Sequence, residues 1–215
     1  MESANMKPRI KICGLTRLED VKAAVDTGAD AIGLVFYPPS PRYVDLQMAA
    51  MLARAVPPFV TIVGLFVNAD AATINETLAA VPLHVLQFHG DENEDYCRQF
   101  NRPYLKAARV KPGLDLVQYT AGFPSAQAIL LDAFVDGYGG GGKVFDWSVI
   151  PAELGKPIVL SGGLDAGNVG EAIARVRPAA VDVSSGVEMA KGIKDAEKIR
   201  AFVTAVRTAS LMQNG

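Results

Sequence analysis

Short apolar runs rich in β-branched and aliphatic residues alternate along this chain with longer stretches in which apolar side chains recur every three or four positions. The runs are Arg9–Cys13, Ala31–Phe36, Val60–Val67, His84–Phe88, Tyr104–Ala107, Gln127–Asp132, Pro157–Leu160 and Ala179–Ser184. They recur every roughly 20 to 30 residues, the period of a strand–helix unit. Most are apolar at consecutive positions, as strands covered on both faces are. Eight such units, with no linker or shift of composition between them, predict a single α/β domain. In it a parallel sheet closes into a (β/α)8 barrel of the TIM type over residues 9–212, after a polar leader at 1–8. An open doubly wound sheet fits the same alternation, but eight strands are many for it.

The helical stretches carry end signals. Thr16 and Glu19 form a Thr-x-x-Glu capping-box pattern before the apolar positions Val21, Ala24 and Val25, and Gly28 closes that helix. Asp70 is placed to cap the segment holding Ile74 and Leu78, which Pro82 follows. The last helix starts near Asp195 with Ile199, Phe202, Val203 and Val206 on one face. After the sixth run little helical sequence remains, and Phe145–Ile150 allows only a short helix.

Composition narrows the possibilities. Half of the 215 residues are hydrophobic, enough for a large core, and the formal net charge is −2. Charges of both signs are interspersed without a basic stripe, which argues against a nucleic-acid partner. The apolar runs are strand-sized, too short for a membrane span, and Met1–Pro8 lack a signal-peptide core. Cys13 and Cys97 form neither a disulfide framework nor a metal-ligand spacing, which suits a reducing cytoplasm. No sequence feature marks a large exposed apolar face, so a monomer is expected.

In such a barrel the chemistry sits at the C-terminal ends of the strands and in the loops that follow. That rule selects Cys13, Arg42, Gln87–His89, Asp132, Gly162–Gly163 and Asp182–Gly186. Strands 1 and 6 face one another across an eight-membered ring, so Cys13 and Asp132 are positioned to act as base and acid on one small ligand. The plainer alternatives are a buried thiol acting as a small hydrophobe and a carboxylate capping a loop. Asp182 shares a face of strand 8 with Ser184, and Lys11 shares a face of strand 1 with Cys13. Adjacent strands would let Lys11 and Asp182 neutralise each other inside the barrel. Ser161-Gly162-Gly163-Leu164 and Ser184-Ser185-Gly186 occupy the two loops where such barrels present backbone N–H groups to phosphate. The run Gly137–Lys143 imitates a nucleotide-binding P-loop, but Val144 stands where the motif needs Ser or Thr. A lid built on Gly139, Gly140 and Gly141 is the better reading. His84 and His89 have no third ligand in view, so no metal is expected. Cys97 and Trp147 read as packing residues.

These segments together resemble the phosphoribosylanthranilate isomerase family. The matching blocks begin with Lys11–Thr16, Gly28–Ala31, Ser40–Tyr43, Val63–Asn68 and Leu86–Gly90, in order. They continue with Leu130–Asp132, Tyr138–Gly140, Phe145–Trp147, Ser161–Leu164 and Val181–Glu188. The resemblance implies a barrel of the ribulose-phosphate-binding type and a cofactor-free Amadori rearrangement of a phosphosugar in tryptophan biosynthesis. It assigns Cys13 as general base and Asp132 as general acid. It places Arg42 at the anthranilate carboxylate, Asp182 beside the aromatic amine, Gln87 and His89 at the substrate, and Gly162, Gly163, Ser184 and Ser185 at the phosphate. Phe88 replaces the usual leucine, and Gly141 stands where many members carry Ser or Thr.

Those roles make physical demands. The base must reach its thiolate although free cysteine titrates near ~8.5, and the acid must hold a proton that a solvated aspartic acid releases near ~3.9. Cations such as Arg42 are expected to lower the thiol. A competing reading is a different phosphosugar barrel enzyme working through a lysine nucleophile. Lys106 is the one strand lysine available for it, and no carboxylate obviously partners that lysine. A second is a phosphate-ligand binder without turnover, against which the presence of both Cys13 and Asp132 argues.

Overall fold

A computed structural model describes residues 7–133 and 145–212. Its eight parallel strands close into a barrel in sequence order, with β1 paired to both β2 and β8. They are β1 Arg9–Cys13, β2 Ala31–Val35, β3 Thr61–Phe66, β4 Val85–Phe88, β5 Tyr104–Val110, β6 Ala128–Ala133, β7 Ile158–Leu160 and β8 Ala180–Val183. All eight expected runs are strands, with ends differing mostly by a residue or two. β5 alone runs well beyond expectation, because its ladder with β6 continues through Arg109↔Asp132 and Val110↔Ala133. The polar Arg109 disguised that extension in the sequence.

Helices α1 Leu18–Asp26, α2 Leu46–Arg54, α3 Ala71–Ala80, α4 Glu94–Arg98, α5 Leu116–Ala121, α6 Val169–Val176 and α7 Ala196–Met212 follow or separate the strands. Between β6 and β7 the described chain has only a 3-10 turn, Trp147–Val149, as the short sixth unit predicted. Asp45, Asp70, Asn93 and Asp115 each cap a helix by accepting from a backbone N–H three residues on. The capping box expected at Thr16 does not form. Arg17 is the N-cap of α1 without a side-chain bond, and the Thr16 hydroxyl instead donates to Gly192 O at 2.6 Å. A distant loop thus wins the side chain that the local pattern had assigned. Gly28 does end α1, with φ +87.

Side-chain alternation along the strands divides the apolar residues into two clusters. Ile10, Ile12, Ile32, Leu34, Phe66, Leu86, Ile129, Leu131 and Leu160 pack outward against the helices. Ala107, Ala128, Leu130 and Val159 form a separate, small cluster inside the barrel. α7 closes the ring by burying Ile199, Phe202, Val203 and Val206, each contributing about 1.5–3 kcal/mol of transfer free energy. Cys97 and Trp147 are buried in the outer core, as expected. The interior floor of small aliphatic groups leaves the C-terminal mouth for polar residues.

Candidate active site

At that mouth a cavity of about 690 Å³, open solvent included, is lined by Cys13 of β1, Gln87 of β4, Asp132 of β6 and Asp182 of β8. His89, Arg42, Gly162, Gly163, Ser184 and Ser185 complete its wall from the loops. Of the positions chosen from the sequence, Phe88 packs in the hydrophobic core instead and Gly186 is not part of the wall, while Gly139, Gly140 and Gly141 lie outside the described residues.

On the thiol side, Cys13 is 4% exposed. Burial pushes its thiol above the ordinary range, and the nearby Lys11 and Lys194 ammonium groups oppose this without prevailing. The cations that act on the thiol are thus Lys11 and Lys194, while the guanidinium of Arg42, named for that part from the sequence, is paired with Glu188. Lys11 Nζ donates to Asp182 Oδ1 at 2.8 Å, the neutralisation anticipated from adjacent strands, and Ser161 Oγ donates to Asp182 Oδ2 at 3.3 Å. Burial works against the Lys11 charge, but Asp182 and Cys13 outweigh it and hold its pKa high. Gly33, directly across the β1–β2 ladder, makes room for the thiol: a Cβ there would lie 2.6 Å from Cys13 Sγ.

On the carboxyl side, Asp132 Oδ2 lies 3.1 Å from His89 Nε2, and His89 Nδ1 lies 3.0 Å from Gln87 Nε2. An amide nitrogen only donates, so with this amide orientation Nδ1 accepts from Gln87 and Nε2 is the ring nitrogen that faces Asp132. Gln87 is fully buried and its Oε1 has no hydrogen-bond partner. Gly162, with φ +84, brings the β7 loop against the acid: a Cβ there would fall 2.4 Å from Ala133 N and 2.9 Å from Asp132 Oδ1. His84 is far from this chemistry, its Nδ1 accepting from Ile62 N. Among the described residues no group of three or more His, Cys, Asp or Glu is arranged to hold a metal ion.

Three residues escaped the sequence reading. Glu188 receives the Arg42 guanidinium in a bidentate pair and also binds Lys194. No local pattern could reveal this, because Arg42 lies 146 residues from Glu188 in sequence. Glu92 is the third. Lys106, expected to lack a carboxylate partner, pairs with it at 2.9 Å and donates to Gly90 O at 2.6 Å. That lysine is 1% exposed and absent from the cavity wall, so it is a structural ion pair and not an available nucleophile.

A closed eight-stranded parallel barrel, with titratable groups and glycine–serine loops gathered around one cavity at its C-terminal mouth, defines a (β/α)8-barrel enzyme for a small ligand. Residues 10–205 match the sequence profile of the N-(5'phosphoribosyl)anthranilate (PRA) isomerase family, and the chain belongs to that family. It is 66% identical over 204 residues to N-(5'-phosphoribosyl)anthranilate isomerase of Dechloromonas aromatica, covering 95% of this chain and 98% of that protein. The crystal structure of phosphoribosyl anthranilate isomerase from Thermotoga maritima superposes with a TM-score of 0.85 at 43% identity, over 94% of this chain and 99% of that one. Another solved structure holds the same enzyme type in complex with reduced 1-(o-carboxyphenylamino)-1-deoxyribulose 5-phosphate. It superposes with a TM-score of 0.82 at 40% identity, covering 94% of this chain and 99% of that one.

Proposed function

We propose that this chain isomerises N-(5'-phosphoribosyl)anthranilate to 1-(2-carboxyphenylamino)-1-deoxyribulose 5-phosphate, without a cofactor, by general acid–base catalysis in tryptophan biosynthesis. The observation that carries the reading is that Cys13 and Asp132 open onto one cavity whose wall also contains Gly162, Gly163, Ser184 and Ser185. Asp132 gives a proton to the furanose ring oxygen. The C1–O bond breaks as the aromatic nitrogen forms a C=N bond, and the oxygen leaves as the C4 hydroxyl. The Cys13 thiolate then takes the proton from C2, and those electrons form the C1–C2 double bond of an enolamine. Protonation at C1 and loss of the O2 proton give the ketone. Each positioned transfer is worth roughly 10²- to 10⁴-fold in rate.

The remaining residues bind and orient. The loops after β7 and β8 offer backbone N–H groups to the phosphate, Arg42 meets the carboxylate of the aromatic ring, and Asp182 faces the amine while Lys11 balances its charge. Gln87 and His89 flank the substrate, and His89 holds Asp132. The test is direct: purified protein should consume phosphoribosylanthranilate, followed as loss of its fluorescence. Absence of turnover in folded protein would reject the assignment.

The enzyme is further proposed to act in the cytoplasm as a monomer, with a phosphosugar as its only partner and neither nucleic acid nor membrane. Among the described residues its exposed large apolar side chains are scattered: Tyr43 and Phe59 on loops, Val149 in the 3-10 turn, and the rest on α2, α5, the segment at 188–190 and α7. Sedimentation at 22.8 kDa is expected. Twice that mass would place it with the dimeric Thermotoga maritima relative.

A further inference from the structure

After β8 the chain makes an antiparallel hairpin, β9 Glu188–Ala190 with β10 Ile193–Lys194. The turn contains Gly192, whose φ is +79 and whose carbonyl accepts from Thr16. A Cβ at Gly192 would lie 2.7 Å from Pro41 O, so the hairpin packs tightly on the loop that carries Arg42. Glu188 and Lys194 are cross-strand partners in this hairpin.

Their side chains build a buried triad with Arg42. Glu188 Oε1 accepts from Arg42 Nε at 2.7 Å and from Lys194 Nζ at 2.9 Å, and Oε2 accepts from Arg42 Nη2 at 2.9 Å. Lys194 Nζ also donates to Ser184 O at 3.0 Å and lies 3.3 Å from Ser184 Oγ. Side-chain exposure is 7% for Arg42, 6% for Glu188 and 0% for Lys194. Two cations around one carboxylate leave a single net positive charge on the triad, of which Arg42 lines the cavity. Burial pushes the Glu188 carboxyl up, yet Arg42 and Lys194 more than offset it and keep the group ionised.

A guanidinium has two edges that fit a carboxylate. Glu188 occupies the edge made by Nε and Nη2. Nη2 keeps a second N–H beside Nη1, Nη1 itself forms no hydrogen bond to any described residue, and Arg42 lines the cavity, so the edge made by these two N–H groups is open to a ligand. We propose that Glu188, itself braced by Lys194, is a positioning residue that locks one edge of Arg42 so that the other is preset for the aromatic carboxylate of the substrate. It thereby sets the enzyme's preference for N-aryl glycosylamine phosphates bearing an ortho carboxylate. The inference rests on the reading of Arg42 as the carboxylate-binding group.

The test compares N-(5-phosphoribosyl)anthranilate with N-(5-phosphoribosyl)aniline, which lacks the carboxylate, in the wild type and in Arg42→Met, Glu188→Gln and their double variant. Glu188→Gln is expected to raise KM for the carboxylated substrate by at least about tenfold, with kcat falling less than KM rises and the aniline analogue little affected. In the Arg42→Met background the same change should alter the preference no further, because Glu188 acts through Arg42. If Arg42→Met erases the preference while folded Glu188→Gln retains it, the locking role is overturned and the Arg42 reading stands. If Arg42→Met itself retains the preference, both are overturned. Should Glu188→Gln fail to fold, Glu188→Gln with Lys194→Met keeps the cluster at one net positive charge. It carries the same expectation, and unchanged preference in it overturns the proposal equally.

Discussion

Gly33→Ala isolates the position of the thiol. Gly33 sits in the extended backbone of β2, so alanine brings no conformational penalty there, and the effect comes from contact alone. The added Cβ would lie 2.6 Å from Cys13 Sγ, 3.1 Å from Cys13 Cα and 3.2 Å from Cys13 Cβ. Unstrained heavy-atom contacts lie at roughly 3.5–4.0 Å, so the sulfur must retreat by about 1 Å. The 3.1 Å approach to backbone means that rotation of the side chain alone does not relieve the crowding. Overpacking of this kind costs about 1–3 kcal/mol of stability, and a misplacement of about 1 Å costs on the order of 10²-fold in rate. The three atoms nearest the new methyl all belong to Cys13, so the main effect should fall on the thiol and substrate should still bind. We expect folded Gly33→Ala to show kcat lower by roughly 10²-fold with KM changed by less than about threefold. Steady-state loss of phosphoribosylanthranilate fluorescence measures both constants, and the denaturation midpoint confirms folding. Wild-type kcat in a folded Gly33→Ala protein would show that the sulfur position does not limit the reaction.

Cys13→Ala and Asp132→Asn should each lower turnover by at least about 10²-fold while the reduced product analogue still binds. Near-normal turnover in either removes that residue from the mechanism. The Glu188 carboxyl is held below its ordinary value, so its stabilisation is complete above the unfolded value near ~4.3 and disappears as pH falls through the lower folded one. The difference in thermal midpoint between wild type and Glu188→Gln should therefore shrink on acidification from pH ~7 to ~3. A difference independent of pH contradicts this. Lys106→Met strands the buried Glu92 and should cost about 3–5 kcal/mol in urea unfolding, with KM unmoved. An unchanged midpoint would deny the ion pair its structural role. Because burial raises the Cys13 thiol, its alkylation by iodoacetamide should accelerate with pH up to and beyond the ordinary thiol range near ~8.5. A plateau already reached at neutral pH would contradict that shift.

What the sequence alone determined is whatever rests on period and local stereochemistry. Eight double-faced apolar runs separated by helical stretches specify the strands, and their number favours a closed ring over an open doubly wound sheet. Closure then dictates that Cys13, Asp132, Asp182 and the two glycine loops share one end, so their meeting could be foreseen from strand positions. Lys11 with Asp182 was legible for the same reason, as neighbours in register. The Asp70 cap, read from the sequence, lay three residues from its target, but the hydroxyl of Thr16 went to a carbonyl 176 positions away. Partners distant in sequence and unconstrained by ladder register were decided only by tertiary packing: Arg42 with Glu188, Lys106 with Glu92, His89 with Asp132, and the space that Gly33 leaves beside Cys13. A buried charge must find a counter-charge, yet that requirement does not say which one. Only the folded chain, by excluding water from particular places, selects the pairs that set the thiol and hold the arginine.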